Sequence, residues 1–219
     1  MKVYGHPLSS CTRKVLLTLA ESNQVAELVP IDLFAGEHTK SSHLARHPFG
    51  VIPVLEDNDF VLFESRAIIR YLANRGDGRA LLPRDPRSLA RMDQWLSVDQ
   101  SYIAPHTRTL AVERILRRHA GVAPDAEAVQ RAEGGLAKAF TVLDEALAKS
   151  AFLAGTTFSL ADISLMPYIA SLAMLEAEHL LEGRSALSSW WSRVSDRPSW
   201  QYATQAQATP LATAACAAG

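Results

Sequence analysis

Val15, Leu16, Leu19 and Ala20 recur at helical spacing, which predicts an amphipathic helix over residues 12–22. Residues 2–4 form a short strand candidate ahead of it, closed by Gly5-His6-Pro7. The apolar stretch LVPIDL over 28–33 reads as a second strand, and the polar loop FAGEHTKSS follows. A short helical piece is expected around 43–46. Residues 51–55 and 60–63 read as two more strands, with Asn58-Asp59 as the turn between them. A helix over 65–75 carries Ala67, Ile68, Tyr71 and Leu72 on its apolar side. The order β-α-β-α-β-β-α predicts a small sheet with helices on its faces.

The pattern then changes. GDGRALLPRDP, over 76–86, mixes glycine, proline and charge and reads as a linker. Beyond it the spacing is almost wholly helical, over 88–104, 108–119, 129–150, 160–175 and 186–195. The expected organisation is an α/β domain over 1–76, a linker over 77–87, an all-helical domain over 88–204 and a flexible Ala/Thr-rich tail over 205–219. No internal repeat is present.

Composition narrows the class. The chain has 219 residues, 48% of them hydrophobic, enough to bury a sizeable core. Its net charge is −1 and no run of five or six like charges occurs, which argues against nucleic-acid and anionic-membrane partners. The basic run over 114–118 is broken by Ile115 and Leu116 and reads as a solvated helix face. Two cysteines, Cys11 and Cys216, make no disulfide framework and favour a reducing, cytoplasmic setting. The start MKVYGHPLSS has no apolar core of a signal peptide, and no stretch of about 18 apolar residues predicts a membrane span.

The sequence contains no GxSxG, Walker A, HExxH or CxxC motif, and its histidines are too scattered for a zinc site. Three segments carry candidate chemistry. Gly5 to Arg13 joins a strand to a helix, so the helix N–H groups face the loop and favour an anion there, with Ser9 or Ser10 as hydroxyl donor. An ordinary helix cap accounts for the same serines. In HPFGVIPVL, Pro53 cannot donate to a sheet, so it marks an edge strand or a cis turn. In FESRAI, Glu64 can accept from an ammonium, while Ser65 and the helix N–H groups can bind a carboxylate. A cap and a solvated acid fit there equally.

Taken together these segments resemble the cytosolic glutathione transferase family, the phi class most closely. The resemblance rests on KVYGHPLSSCTRKVL, on GEH at 36–38, on RHPFGVIPVLED at 46–57, on LFESRAIIRYLA at 62–73 and on TFSLADIS at 157–164, and it covers the chain to about Tyr202. It implies a thioredoxin-like N-terminal domain and an all-helical C-terminal domain. It further implies glutathione as co-substrate, with no cofactor and no metal, and a homodimer.

The resemblance also assigns roles. Ser9 aligns with the class's catalytic serine, a hydrogen-bond donor to the glutathione thiolate, with Ser10 as the alternative. His38 is implied near the glycyl carboxylate with Lys40 beside it, although the family's usual basic residue directly after that histidine is Thr39 here. Ile52 is implied to pair its backbone with the cysteinyl unit, ahead of a cis Pro53. Glu64 is implied to take the γ-glutamyl ammonium and Ser65 its carboxylate. Val51 stands where the class commonly has glutamine. The electrophile pocket of the family lies between the domains, and its candidates here are Leu8, Phe34, Tyr102 and His106, with Arg108 and Leu110 further along. Arg66, Tyr71, Arg91 and Asp99 are interface candidates. Cys11 reads as a buried helix residue, and the S-x-x-D box at Ser159–Asp162 reads as structural. The expected reaction adds glutathione to hydrophobic electrophiles. The rivals are a glutathione-dependent peroxidase or thiol reductase, and a non-catalytic ligand-binding protein on the same fold.

Overall fold

The computed structural model describes residues 1–205. The expected tail therefore lies, from residue 206 on, outside the described residues, as does Cys216. By its internal contacts the chain divides into two units, Met1–Leu82 joined by the chain from Asp196 onward, and Pro83–Ser195. Among the described residues no helix is long and apolar enough to cross a membrane.

The first unit is a four-stranded sheet with helices, the thioredoxin-like arrangement. Strand β1 (Lys2–Gly5) leads to helix α1 (Ser10–Glu21), then to β2 (Glu27–Pro30), the short α2 (Ser41–Leu44), β3 (Val54–Asp57), β4 (Phe60–Phe63) and α3 (Ser65–Ala73). The strand order is β2-β1-β3-β4. β1 and β2 are parallel and need the crossover that α1 supplies. β1–β3 and β3–β4 are antiparallel. Asp57 pairs with Phe60, so Asn58-Asp59 is a two-residue hairpin loop, and Asn58 takes the positive φ of 57° that such a loop requires. The core gathers Val3, Leu16, Leu17, Val54, Leu55, Ile68, Ile69 and Leu72, none of them accessible to solvent.

Several boundaries differ from the sequence expectation, each for a local reason. β2 stops at Pro30, and Asp32 then turns the chain by accepting from the N–H groups of Phe34 and Ala35 at 2.8 and 2.9 Å. β3 starts only at Val54, because the Ile52–Pro53 peptide is cis and precedes the strand. β3 lies inside the sheet, so Pro53 marks a cis turn and not an edge strand. The expected linker begins with a 3₁₀ turn, Gly76–Leu81, belonging to the first unit.

One helix of the described residues is not among those the spacing predicts. Residues 198–205, read as the end of the helical domain and the start of the tail, form α10 (Pro198–Gln205), which packs against α1 in the first unit. Thr204 bonds back to the Trp200 carbonyl at 3.0 Å, and the helix runs to Gln205, the first residue of the expected tail. Glu21, at the end of α1, accepts from Arg197 Nε at 2.6 Å and from its terminal nitrogen at 2.7 Å, and the Ser199 hydroxyl donates to the same carboxylate. A bidentate, largely buried pair of this kind contributes roughly 2 kcal/mol. Arg197→Ala is expected to lower the thermal midpoint by several degrees, read by circular dichroism.

The second unit is helical: α4 (Pro86–Val98), α5 (Ala104–Ala111), α6 (Arg117–His119), α7 (Ala126–Leu147), α8 (Leu160–Ser171) and α9 (Ser185–Ser195). Asp85 caps α4 by accepting from Ser88 N at 2.9 Å, with Pro86 in the first turn. The two helices expected over 88–104 and 108–119 are one helical run with two π turns, Asp99–Ile103 and Val112–Leu116. Pro105 has no N–H to give, and the wider turn before it accommodates the missing bond. Helix α8 is buried on every side, as a central helix must be. Its start is the expected capping box. Asp162 is fully buried and accepts from Ser159 N (3.0 Å), Ser159 Oγ (3.2 Å), Leu153 N (3.1 Å) and the Trp190 indole N–H (2.9 Å). Burial pushes its carboxyl up to about 6, against the pull of these donors.

Candidate active site

The sheet register gathers the predicted site residues of the first unit at one edge of the fold. Gly5 ends β1 opposite Pro30 at the end of β2. Tyr4 pairs with Val54 at the start of β3, and Val54 with Phe63 at the end of β4. The segment after β1 (Leu8, Ser9, Ser10), the one after β2 (Phe34, His38, Lys40), the one before β3 (Ile52, Pro53) and the one after β4 (Glu64, Ser65) therefore leave the same end of the sheet.

The loop after β1 is held by its own chain. Thr12 is buried, and its hydroxyl oxygen accepts from His6 N at 3.3 Å. A Cβ on Gly5 would stand 2.5 Å from that oxygen, so only glycine lets the threonine cross the strand end. Arg13 Nε donates to the Pro7 carbonyl at 2.8 Å, and Ser9 N to the His6 carbonyl at 2.9 Å. Ser9 is the N-cap of α1: its backbone is extended, and its Oγ accepts from Thr12 N at 3.3 Å. One lone pair is thus committed to the helix, while the hydroxyl proton remains available to an acceptor. Ser10 is the first residue within the helix. Both serines are half-buried. Cys11, expected to be buried, is also half-buried.

His38 sits in a 3₁₀ turn, Glu37–Thr39, half-buried, and its Nδ1 has no hydrogen-bond partner among the described residues. Lys40 is exposed and faces Glu37 at 3.3 Å. Backbone N–H donation from Asp32, and then Lys40, hold the Glu37 carboxyl below its ordinary value. Glu64 joins β4 to α3 with φ 72° and ψ 109° and is exposed. A positive φ at a non-glycine residue costs about 1–3 kcal/mol and concentrates at functional positions. Ser65 follows it, buried, as the first residue of α3.

The electrophile candidates divide. Leu8 and Phe34, in the first unit, are 53% and 55% exposed. Tyr102, in the second unit, is 61% exposed. His106, on α5, instead packs against α7: a Cβ at Gly135 would stand 2.2 Å from its Nε2, so the ring fills a glycine gap in the neighbouring helix. Arg108 is exposed, and Leu110 is core. Asp99, read as an interface candidate, is instead fully buried and accepts from the Ser164 hydroxyl.

Sequence reasoning missed three supports of this edge. Thr12 and Arg13 brace the first loop, and the buried His43 places its Nε2 2.8 Å from the Val51 carbonyl oxygen. The close pairing of Gly5 with a threonine seven positions later was a signal for the first. His43, in a polar run, offered none.

Comparison with known proteins agrees with this architecture. Residues 1–74 match the model of the glutathione S-transferase N-terminal domain, and residues 103–198 that of the C-terminal domain. Glutathione S-transferase APIC of Nicotiana tabacum is 35% identical over 202 residues, covering 91% of this chain and 95% of its own. The crystal structure of glutathione transferase F7 from Populus trichocarpa superposes with a TM-score of 0.85 at 33% identity, covering 92% of this chain and 96% of that one. Glutathione S-transferase I from maize, solved in complex with an atrazine glutathione conjugate, gives a TM-score of 0.83 at 30% identity, covering 93% and 95%. Such likeness runs through both units and nearly the full length of each partner: this chain is an enzyme of the glutathione S-transferase family, phi-class-like in sequence.

Proposed function

We propose that this enzyme conjugates the thiolate of glutathione to hydrophobic electrophiles, with Ser9 as the hydroxyl that stabilises the thiolate. The observation that carries the reading is the shared sheet end, where a capping hydroxyl, a helix N-terminus, a strap of backbone before β3 and an acid–hydroxyl pair converge. The groups complement a tripeptide with an ammonium and carboxylate at one end, a thiol in the middle and a carboxylate at the other. Glu64 takes the γ-glutamyl ammonium, and Ser65 with the start of α3 takes the neighbouring carboxylate. Ile52 offers its backbone to the cysteinyl unit in the manner of an added strand. His38 takes the glycyl carboxylate. Lys40 joins it only by sharing or leaving Glu37.

A free thiol with a pKa near about 8.5 is only a few per cent ionised at neutral pH. The Ser9 O–H and the α1 N-terminus favour the anion and raise that fraction. The sulfur lone pair then attacks the electrophilic carbon and a C–S bond forms; with an aryl halide the halide departs with the bonding pair, and with an isothiocyanate the C=N π pair moves to nitrogen, which takes a proton from water. Ser9 is not consumed and forms no covalent bond. Leu8 and Phe34 supply exposed apolar surface on the same unit, consistent with an apolar second substrate. The atrazine glutathione conjugate held by the maize relative points to an electron-poor aromatic ring as one substrate class. A homodimer belongs to the same proposal and is read by sedimentation.

The test is turnover of a chloronitrobenzene and of an isothiocyanate with glutathione. Saturable, glutathione-dependent conjugation is expected. Glutathione binding with no turnover of either would replace the proposal with a ligand carrier. Peroxide or disulfide reduction that is lost in Cys11→Ser and kept in Ser9→Ala would replace it with a reductase.

A further inference from the structure

We propose that His43 is a positioning residue for glutathione, holding the Val51–Ile52 peptide so that the Ile52 N–H faces the tripeptide; the inference rests on the glutathione site proposed above. His43 lies on α2 and is almost wholly buried. Its Nε2 is 2.8 Å from the Val51 carbonyl oxygen. A carbonyl only accepts, so Nε2 carries a proton and donates, while the buried Nδ1 has no partner among the described residues. In a trans peptide the C=O and the following N–H point in opposite directions. The Val51–Ile52 bond is trans, the cis bond being the next one, Ile52–Pro53. Drawing the Val51 carbonyl toward α2 therefore turns the Ile52 N–H away from α2. Pro53 has no N–H, so Ile52 carries the last backbone donor before β3.

The ring itself is fixed from behind. His43 stacks on His47 at 6.4 Å between centroids with planes 22° apart. His47 is buried and lies 4.6 Å from the Phe63 ring, next to Glu64 in sequence. Burial holds the His47 imidazolium below its ordinary pKa, while the charge of Glu64 raises it. The stack thus runs from α2 to the end of β4 and sets the direction in which Nε2 points.

The test pairs two variants. His43→Phe keeps a ring on the stack and removes the donor, whereas His43→Gln sets an amide N–H at about the reach of Nε2. One lost hydrogen bond of this kind corresponds to about a tenfold change in affinity. His43→Phe is expected to raise the glutathione Kd, by calorimetry, and the glutathione KM about tenfold, with kcat at saturating glutathione within about twofold of wild type. His43→Gln is expected to recover most of the affinity. Wild-type affinity in a folded His43→Phe, or equal weakness in both variants, overturns the proposal. If His43→Phe does not fold, the ¹⁵N spectrum of the wild type decides: a protonated Nε2 at His43 is expected, and a bare Nε2 overturns the proposal. Glu64→Ala is the control for the site. Weakened binding in that variant beside unchanged binding in His43→Phe defeats the positioning role alone. Unchanged binding in Glu64→Ala defeats the site and this proposal with it.

Discussion

Ser9→Ala is expected to lower kcat/KM for conjugation about 10- to 100-fold near neutral pH, because it removes the one hydroxyl that caps α1 with its proton left over. The size follows from the hydroxyl alone, since the helix terminus survives the substitution. A hydrogen bond to a charged group is worth about 1.5–3 kcal/mol, and each unit of thiol pKa is about 1.4 kcal/mol of preference for the anion. Loss of the donor raises the pKa of bound glutathione, so the rising limb of the kcat–pH profile moves to higher pH. The defect is greatest below the wild-type thiol pKa and closes above that of the variant, where both enzymes hold thiolate. The same substitution also removes a cap worth about 1 kcal/mol. Stability and chemistry separate cleanly, because a cap defect lowers the thermal midpoint without moving the pH limb. Ser9→Thr keeps the hydroxyl and is expected to keep most of the profile. An unmoved limb in Ser9→Ala together with a moved one in Ser10→Ala would hand the role to Ser10. Unmoved limbs in both would end the serine mechanism.

The largest stability effect is expected in the helical unit, at Asp162. Its carboxylate serves Leu153 N, Ser159 N, Ser159 Oγ and the Trp190 indole, all in a fully buried place. Asp162→Ala leaves those donors without an acceptor, and each buried orphan costs about 1–3 kcal/mol. A net loss of about 3–5 kcal/mol is expected, which at this chain length is roughly 10 °C in thermal midpoint. The pH dependence has a definite sign. Burial raises the Asp162 carboxyl from 3.8 to about 6, so between those values the folded protein binds a proton that the unfolded chain has released. The contribution of this group is fullest below about pH 4 and declines by about 3 kcal/mol as pH rises through 6. Asp162→Asn does not titrate, so the stability gap between wild type and Asp162→Asn is expected to narrow from pH 4 to pH 7. A gap that widens would show that the four donors outweigh burial. A thermal midpoint untouched by Asp162→Ala would remove the structural role itself.

The parts of the fold legible in the sequence are those decided within a few residues. Asn58-Asp59 between two apolar runs specified β4 to the residue, and Ser159 with Asp162 announced the start of α8. The Pro53 segment was legible as an irregularity, and the register of β1, β3 and β4 resolved it as a cis turn before an interior strand. What was illegible depends on partners far along the chain. Helix α10 is bound to Glu21 by Arg197, 176 positions away, and no local pattern in PSWQYATQ foretells that docking. The break expected between residues 104 and 108 is instead bridged by helix, with the π turn Asp99–Ile103 directly ahead of the helix that carries Pro105. Within the site, Ser9, Glu64 and Ser65 stood out because helix starts have a sequence signature. His43 did not, because a histidine that serves a backbone carbonyl eight positions later looks like any polar residue on a short helix.

The docking of α10 onto α1 makes the first unit discontinuous in the chain. On the ribosome, domains generally fold as they emerge, N-terminal first. Here β1 through α3 leave the tunnel early, but Glu21 waits for Arg197 and Ser199, and the face of α1 that α10 covers stays bare until residues 197–205 emerge. The helical unit, contiguous over Pro83–Ser195, has all its residues before the thioredoxin-like unit has α10. The unit whose synthesis begins first is therefore the one that waits longest, and α1 receives the partner of its Glu21 only after the whole helical unit has been made.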